Sequence, residues 1–237
     1  MSRNLLAIGA LALASFAGSA RAIVYSDGVF SPSNWSTTTM TNVSGTGSTV
    51  TPAQNLIGGN TNEWREVAHT LVVGSGTGEL IGVHLSGLSF YTPSSQGAIT
   101  FINYSEDAIN LIDERIVPGA GQTTGLAIRQ GGKDYILRPP SVMPYSSFST
   151  WQPISRAGIV ASDMWEYSTA GGLNPFSNPD FSVAGSQMQL GFYRGNSGNS
   201  GYSTHCGIDN WRVEIVPTPG AATLLGLGML AAVRRRR

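Results

Sequence analysis

Apolar and polar positions alternate with a period of two over most of the middle of this chain. That is the spacing of half-buried β-strands and not of helices. Residues 64–73 alternate in part, residues 80–90 carry Leu80, Ile81, Val83, Leu85, Leu88 and Phe90, and residues 98–104 alternate well. Gly74-Ser75-Gly76-Thr77-Gly78 reads as a hairpin turn between the first two, and Thr92-Pro93 closes the second. Residues 126–129 and 135–137 meet across Gly131-Gly132, the residue pair that suits a primed two-residue hairpin turn. Residues 188–194 and 208–215 are the clearest strands, and residues 162–168 predict one short helix. Residues 37–51, rich in Thr, Ser and Gly, read as a long loop or a variable edge. No fixed-period repeat is visible, which argues against a solenoid or propeller. Many short strands divided by Gly, Ser and Pro predict an all-β fold, an antiparallel two-sheet sandwich or jelly roll.

The two ends follow other rules. Arg3 precedes an apolar run at residues 5–17, and Ala20-Arg21-Ala22 supplies a small-x-small cleavage site. Residues 1–22 therefore read as a helical signal peptide, cut before Ile23 by signal peptidase after engagement with the export machinery. At the other end, Pro217-Thr218-Pro219-Gly220 breaks the strand pattern and residues 221–233 form an apolar run in which Thr223 is the one polar side chain. Arg234, Arg235, Arg236 and Arg237 finish the chain. A span of the membrane core takes roughly 20 residues, so thirteen are short, but snorkelling arginine stems extend the reach. Terminal arginines would hold that end in the cytoplasm. A helix packed on a globular domain would show a polar face, and residues 221–233 have none. Three regions result: 1–22, a β-sandwich at 23–216, and a tail at 217–237 expected to hold a short transmembrane helix.

The order of Pro motif, short apolar helix and arginine cluster resembles the PEP-CTERM sorting signal of exported bacterial proteins. That resemblance implies a chain transiently anchored in the inner membrane, processed by an exosortase-like enzyme and released to the cell surface or extracellular matrix. Its processing residues would be Ala20 and Ala22 at one end, and Pro217, Pro219 and the four arginines at the other. Thr218 stands where the family motif has Glu, a departure that bears on which enzyme would take this tail. A GPI signal is the rival, but its apolar tail normally ends without such a cluster. The pattern Gly191-Phe192-Tyr193-Arg194, a Gly/Ser/Asn-rich loop and Gly207-Ile208-Asp209-Asn210-Trp211 resembles the closing strands of exported jelly rolls, the concanavalin A-like lectins and carbohydrate-binding modules.

Composition narrows the class further. Gly (30), Ser (28) and Thr (19) make up about a third of the 237 residues, and charged residues only 12%. Globular proteins carry about twice that charge, so a charged coiled coil is excluded, while 41% hydrophobic residues argue against a disordered chain. The formal net charge of zero hides an uneven division. Between Ile23 and Val216 eight Lys and Arg face 14 Asp and Glu, a net −6. With no basic run in that region, nucleic acid is not an expected partner.

Candidate chemistry is sparse. A lone Cys206 leaves no intramolecular disulfide, and its neighbour His205 would point to the opposite face of a strand. His69, His84 and His205 lack ligand spacing. The acidic clusters Glu63/Glu66, Glu106/Asp107 and Asp113/Glu114 form no alternating catalytic motif, and the last two read as solvated strand ends. No catalytic residue is assigned and no enzyme is expected. Jelly rolls commonly pair their first and last strands, which would bring Asp27 near Asp209 and Asn210 as a candidate calcium site. Structural hydrogen bonding is the alternative role for those residues. Of the five tryptophans, Trp151 and Trp165 flank loop-like segments and are the candidates for stacking on sugar rings. The expected role is structural or adhesive at the cell surface. The alternatives are a carbohydrate-binding module, calcium-assisted or not, that contacts extracellular polysaccharide, and a secreted glycan-active hydrolase.

Overall fold

The computed structural model describes residues 21–42, 46–113, 121–143 and 149–219. The expected signal and tail helices, with Ala20 and Arg234 to Arg237, lie outside these residues. Among the described residues fourteen strands follow in order: β1 (Ile23–Asp27), β2 (Trp35–Asn42), β3 (Thr49–Gly59), β4 (Asn62–Leu71), β5 (Gly78–Tyr91), β6 (Ile99–Asp113) and β7 (Thr123–Gln130). Then come β8 (Lys133–Leu137), β9 (Ser141–Val142), β10 (Gln152–Ile159), β11 (Met164–Ser168), β12 (Gly172–Asn174), β13 (Met188–Gly198) and β14 (Tyr202–Pro217). A single helical turn, α1 (Pro93–Gln96), joins β5 to β6.

All pairings are antiparallel and divide the strands between two sheets. The six-stranded sheet runs β10-β6-β14-β4-β3, with β1 also paired to β14. The eight-stranded sheet runs β12-β11-β8-β7-β13-β5-β2, with β9 beside β7. The first and last strands pair as expected, Ile23 opposite Ile215 and Asp27 opposite Trp211. The β7–β8 hairpin also matches its sequence, with Gln130 opposite Lys133 and both glycines at positive φ (59° and 79°). That left-handed backbone is what Gly-Gly permits and most side chains resist.

Three expectations are corrected, and of the two readings of residues 37–51, loop or edge, the edge is the one that holds. Gly74 to Gly78 is no hairpin turn but a corner between sheets, since β4 and β5 belong to different layers. Residues 162–168 form β11 after one short 3-10 turn, because Trp165 and Glu166 find partners in Ile136 and Tyr135 on β8. The Thr-rich stretch at 37–51 contains most of β2 and the start of β3, where β-branched threonines suit polar edge strands. Glu106 and Asp107 sit mid-strand in β6, not at a strand end. A buried charge is tolerated there because Arg194 Nη1 of β13 lies 2.8 Å from Glu106 Oε1 across the sandwich.

The core between the sheets is anchored by aromatic rings. Trp35 meets Phe192 at 5.4 Å and Trp211 at 5.2 Å between centroids, tying β2 and β13 to β14. Beside it runs a polar seam. Glu106 also accepts hydrogen bonds from Thr124 and Tyr104, and Arg65 Nη2 donates to Thr37 Oγ1. Burial pushes the Arg65 guanidinium down to about 10. On the far side of the eight-stranded sheet, Ile81, Val83, Ala127, Ile136 and Tyr193 are also fully buried. The sheet curls enough to cover them: Arg129 Nη2 on β7 reaches Thr38 Oγ1 on β2 at 3.2 Å.

Candidate functional site

The main convergence of polar and aromatic side chains outside the core lies on the outer face of the six-stranded sheet, where β4, β14 and β6 adjoin. Alternation decides who faces out. Arg65, Val67 and His69 of β4 point into the sandwich, so Trp64 and Glu66 point away from it. On β14, Cys206 is buried with its Sγ 3.1 Å from Asn110 Oδ1, whereas His205 Nδ1 faces out to Glu66 Oε1 at 2.7 Å. His205 and Cys206 therefore lie on opposite faces, as strand geometry requires.

Gly207 makes room for the aromatic part of the site. A Cβ there would lie 2.8 Å from the Trp64 ring and 2.6 Å from Ile109 Cγ2. Trp151 meets Trp64 edge to face, with centroids 5.7 Å apart and planes at 80°. Both indole N–H groups donate to β3 carbonyls, Trp64 to Ile57 at 2.9 Å and Trp151 to Gly58 at 3.2 Å. The bonds fix the rings. Trp64 is buried, while Trp151 stays half-buried and keeps part of its ring in solvent.

Two carboxylates lie on the same sheet, Asp107 on β6 directly opposite Asp209 on β14. Like charges so placed repel unless donors separate them. Here the β3–β4 turn and a β14 bulge supply the donors. Asp107 Oδ2 accepts from Asn60 Nδ2 at 2.9 Å and from Asn210 Nδ2 at 2.7 Å. Asp209 Oδ2 accepts the Thr61 backbone N–H at 2.9 Å, and its Oδ1 accepts that of Asn210 at 2.6 Å. Thr61 Oγ1 donates to Asn210 Oδ1 at 3.0 Å. Asn210 sits at φ 49° within the bulge, a conformation Asn tolerates better than most residues.

Two separate sequence predictions thus meet in one place: Trp151 and the Asp209-Asn210 pair share the outer face of this sheet. Asp27 is adjacent through strand pairing, but its carboxylate is turned to other work. It accepts the N–H groups of Val29 (2.7 Å) and Phe30 (2.9 Å) and the Trp35 indole N–H (2.7 Å). Among the described residues no group of three or more His, Cys, Asp or Glu is placed to hold a metal ion. Trp165 lies on the other sheet, half-buried, its Nε1 donating to the Ser162 carbonyl and Arg138 stacked 6.0 Å from its ring. Arg138 also lines a cleft of about 330 Å³ with Glu79, Thr123 and Asn196.

Sequence reading missed Trp64, Asn60, Thr61 and Asp107 as members of the site. The signal for Asp107 was its place in the period-two register of β6, two residues from Ile109 on the same face. Asn60 and Thr61 carried only the signature of a polar turn. Of the processing residues, Ala22 immediately precedes β1, Pro217 ends β14 and Pro219 lies two residues beyond.

No protein-family model matches the chain, and no curated protein is significantly similar to it. Among solved structures it is similar to the CBM22-1 xylan-binding domain of Xyn10C from Paenibacillus barcinonensis. That similarity covers 83% of this chain and 94% of the other, at 8% identity and a TM-score of 0.38.

Proposed function

We propose that the chain is an exported surface or matrix protein whose β-sandwich adheres to extracellular polysaccharide through the Trp151 face. The observation that carries the adhesive reading is the solvent-facing part of Trp151, held edge-on against Trp64 and sharing its face with Asn60, Asp107 and Asn210. A sugar ring offers an apolar C–H face and a rim of hydroxyls. An immobilised indole serves the first, and fixed amide and carboxylate groups serve the second. Because Trp151 is pre-positioned by its bond to Gly58, little side-chain entropy is lost on binding.

Export and sorting rest on sequence: the signal-peptide pattern at 1–22 and the PEP-CTERM-like tail at 217–237. On this reading signal peptidase cuts before Ile23, and an exosortase-like enzyme acts on the tail. The binding reading is favoured over hydrolysis by the state of Asp209, which is fully buried with both carboxylate oxygens already accepting backbone N–H groups. The test is a panel of neutral and acidic polysaccharides titrated with the protein, with and without calcium. Retention by at least one polysaccharide, with no release of reducing ends, is expected. Indifference to the whole panel would refute the adhesive role, and release of reducing ends would replace it with hydrolysis.

A further inference from the structure

One end of the sandwich gathers the chain's point of exit and a rim of exposed apolar side chains. Pro217 closes β14 there, opposite Ile99 at the start of β6, and Ile23 of β1 lies opposite Ile215. Thr218 is tied down beyond it: its N–H donates to the Ala98 carbonyl at 2.6 Å, and its Oγ1 is 3.0 Å from Thr100 Oγ1. β5 finishes at the same end, since Tyr91 is opposite Met188 and the Tyr91 hydroxyl donates to the Gly97 carbonyl. The 3.4 Å approach of a Gly97 Cβ position to Pro217 fixes that neighbourhood. The loop at 175–187 joins it through the Ile99 N–H, which donates to the Phe181 carbonyl at 2.8 Å.

Three large apolar side chains stand in solvent on these segments: Leu88 (69% exposed), Phe90 (39%) and Val183 (68%). A soluble domain gains nothing from such a rim, and clustered exposed apolar groups mark contact surfaces. Chain length says what the contact is. Only Pro219 and Gly220 separate the anchored Thr218 from the apolar run at 221–233. The three Cα-to-Cα steps from Thr218 to Ala221 span at most about 11 Å. The polar layer of a bilayer is about 5–8 Å deep on each side. If the run enters a membrane, this end of the sandwich is held against the headgroups, with a few ångströms of slack at most.

We propose that the Pro217 end of the sandwich rests on the lipid surface into which the tail inserts, with Leu88, Phe90 and Val183 as its interfacial contacts. The inference rests on the tail inserting, as the proposed sorting requires. It also orients the molecule. Asp209 lies eight residues back along β14 from Pro217, about 25 Å at strand rise, so the Trp151 face stands clear of the membrane.

The test uses the full chain in vesicles of phosphatidylethanolamine and phosphatidylglycerol. Single cysteines replace Leu88, Val183, Ile57 or Leu225 and carry an environment-sensitive fluorophore, while the buried native Cys206 is changed to Ser in every case. Quenching by spin-labelled lipids is then read. Shallow quenching of the labels at positions 88 and 183, several-fold above that at 57, is expected, with deep quenching at 225. Labels at 88 and 183 no more quenched than at 57, with 225 still quenched, would overturn the surface contact and leave the tail reading intact. An unquenched label at 225 would overturn both.

Discussion

At the scale of single residues, the most telling feature is a pair of histidines that no sequence motif marked. His69 and His84 are fully buried, and their Nε2 atoms both face the space that a side chain on Gly82 would fill, 3.1 and 3.2 Å from its Cβ position. His69 Nδ1 is held by Asn196 Oδ1 at 2.6 Å, and His84 Nδ1 lies 2.9 Å from Thr37 Oγ1. Burial drives the His69 pKa down to about 3, the Asn196 bond opposing and Arg194 reinforcing the shift. Burial also lowers His84, helped by Arg65, His69 and Arg194. Both are neutral in the fold and take up protons on unfolding, so their contribution is complete above about pH 6.5 and is lost as pH falls below it. Each such group removes on the order of 1 kcal/mol per pH unit from there down towards its folded pKa. Denaturant melts should therefore show falling stability between pH 6.5 and 5, and His69→Gln should flatten that slope. A stability constant across this range would contradict the burial argument. Nothing in the scattered spacing of His69 and His84 announces this, because their meeting is made by the stacking of two sheets.

Between elements, the two sheets are clamped by an ion pair that sequence distance concealed. Arg194 of β13 and Glu106 of β6 are 88 residues apart and both fully enclosed. Removing one partner from a buried pair leaves an uncompensated charge, which costs about 3–5 kcal/mol. Arg194→Met is expected to destabilise by that amount, with Glu106→Gln in the same background recovering much of it. Simple additivity of the two changes would contradict the clamp. The strands themselves were largely legible. The β7–β8 hairpin announced itself through Gly131-Gly132, and β13 and β14 through their alternation. Local pattern failed where tertiary context decided. Gly74 to Gly78 carried a turn signal, but a turn signal does not say which sheet receives the next strand. Trp165 and Tyr167 were compatible with a helix until β8 offered them a partner. The candidate site was half legible, since Trp151, Asp209 and Asn210 were named from sequence. Trp64 and Asp107 join them only through the register of β4, β14 and β6.

For the whole molecule, the proposed function gives three parts separate duties: export for residues 1–22, adhesion for the mildly acidic sandwich and sorting for residues 217–237. The sandwich presents two surfaces about 25 Å apart along β14, one apolar at the chain's exit and one aromatic and polar at Trp151. On the proposed reading, this separation leaves the binding face free while the tail still holds the other end at the membrane. The net charge of −6 over residues 23–216 belongs to the sandwich region, and the arginines that cancel it lie at 1–22 and 217–237. The most direct measurement compares Trp151→Ala with Trp165→Ala in calorimetric titration against whichever polysaccharide the native protein retains. Loss of one well-packed aromatic contact costs about 1.4–2.8 kcal/mol, or 10- to 100-fold in affinity. Trp151→Ala should weaken binding by that factor, while Trp165→Ala, on the other sheet, should bind as the native protein does. Full affinity in Trp151→Ala, or a loss confined to Trp165→Ala, would contradict the assignment of the binding face.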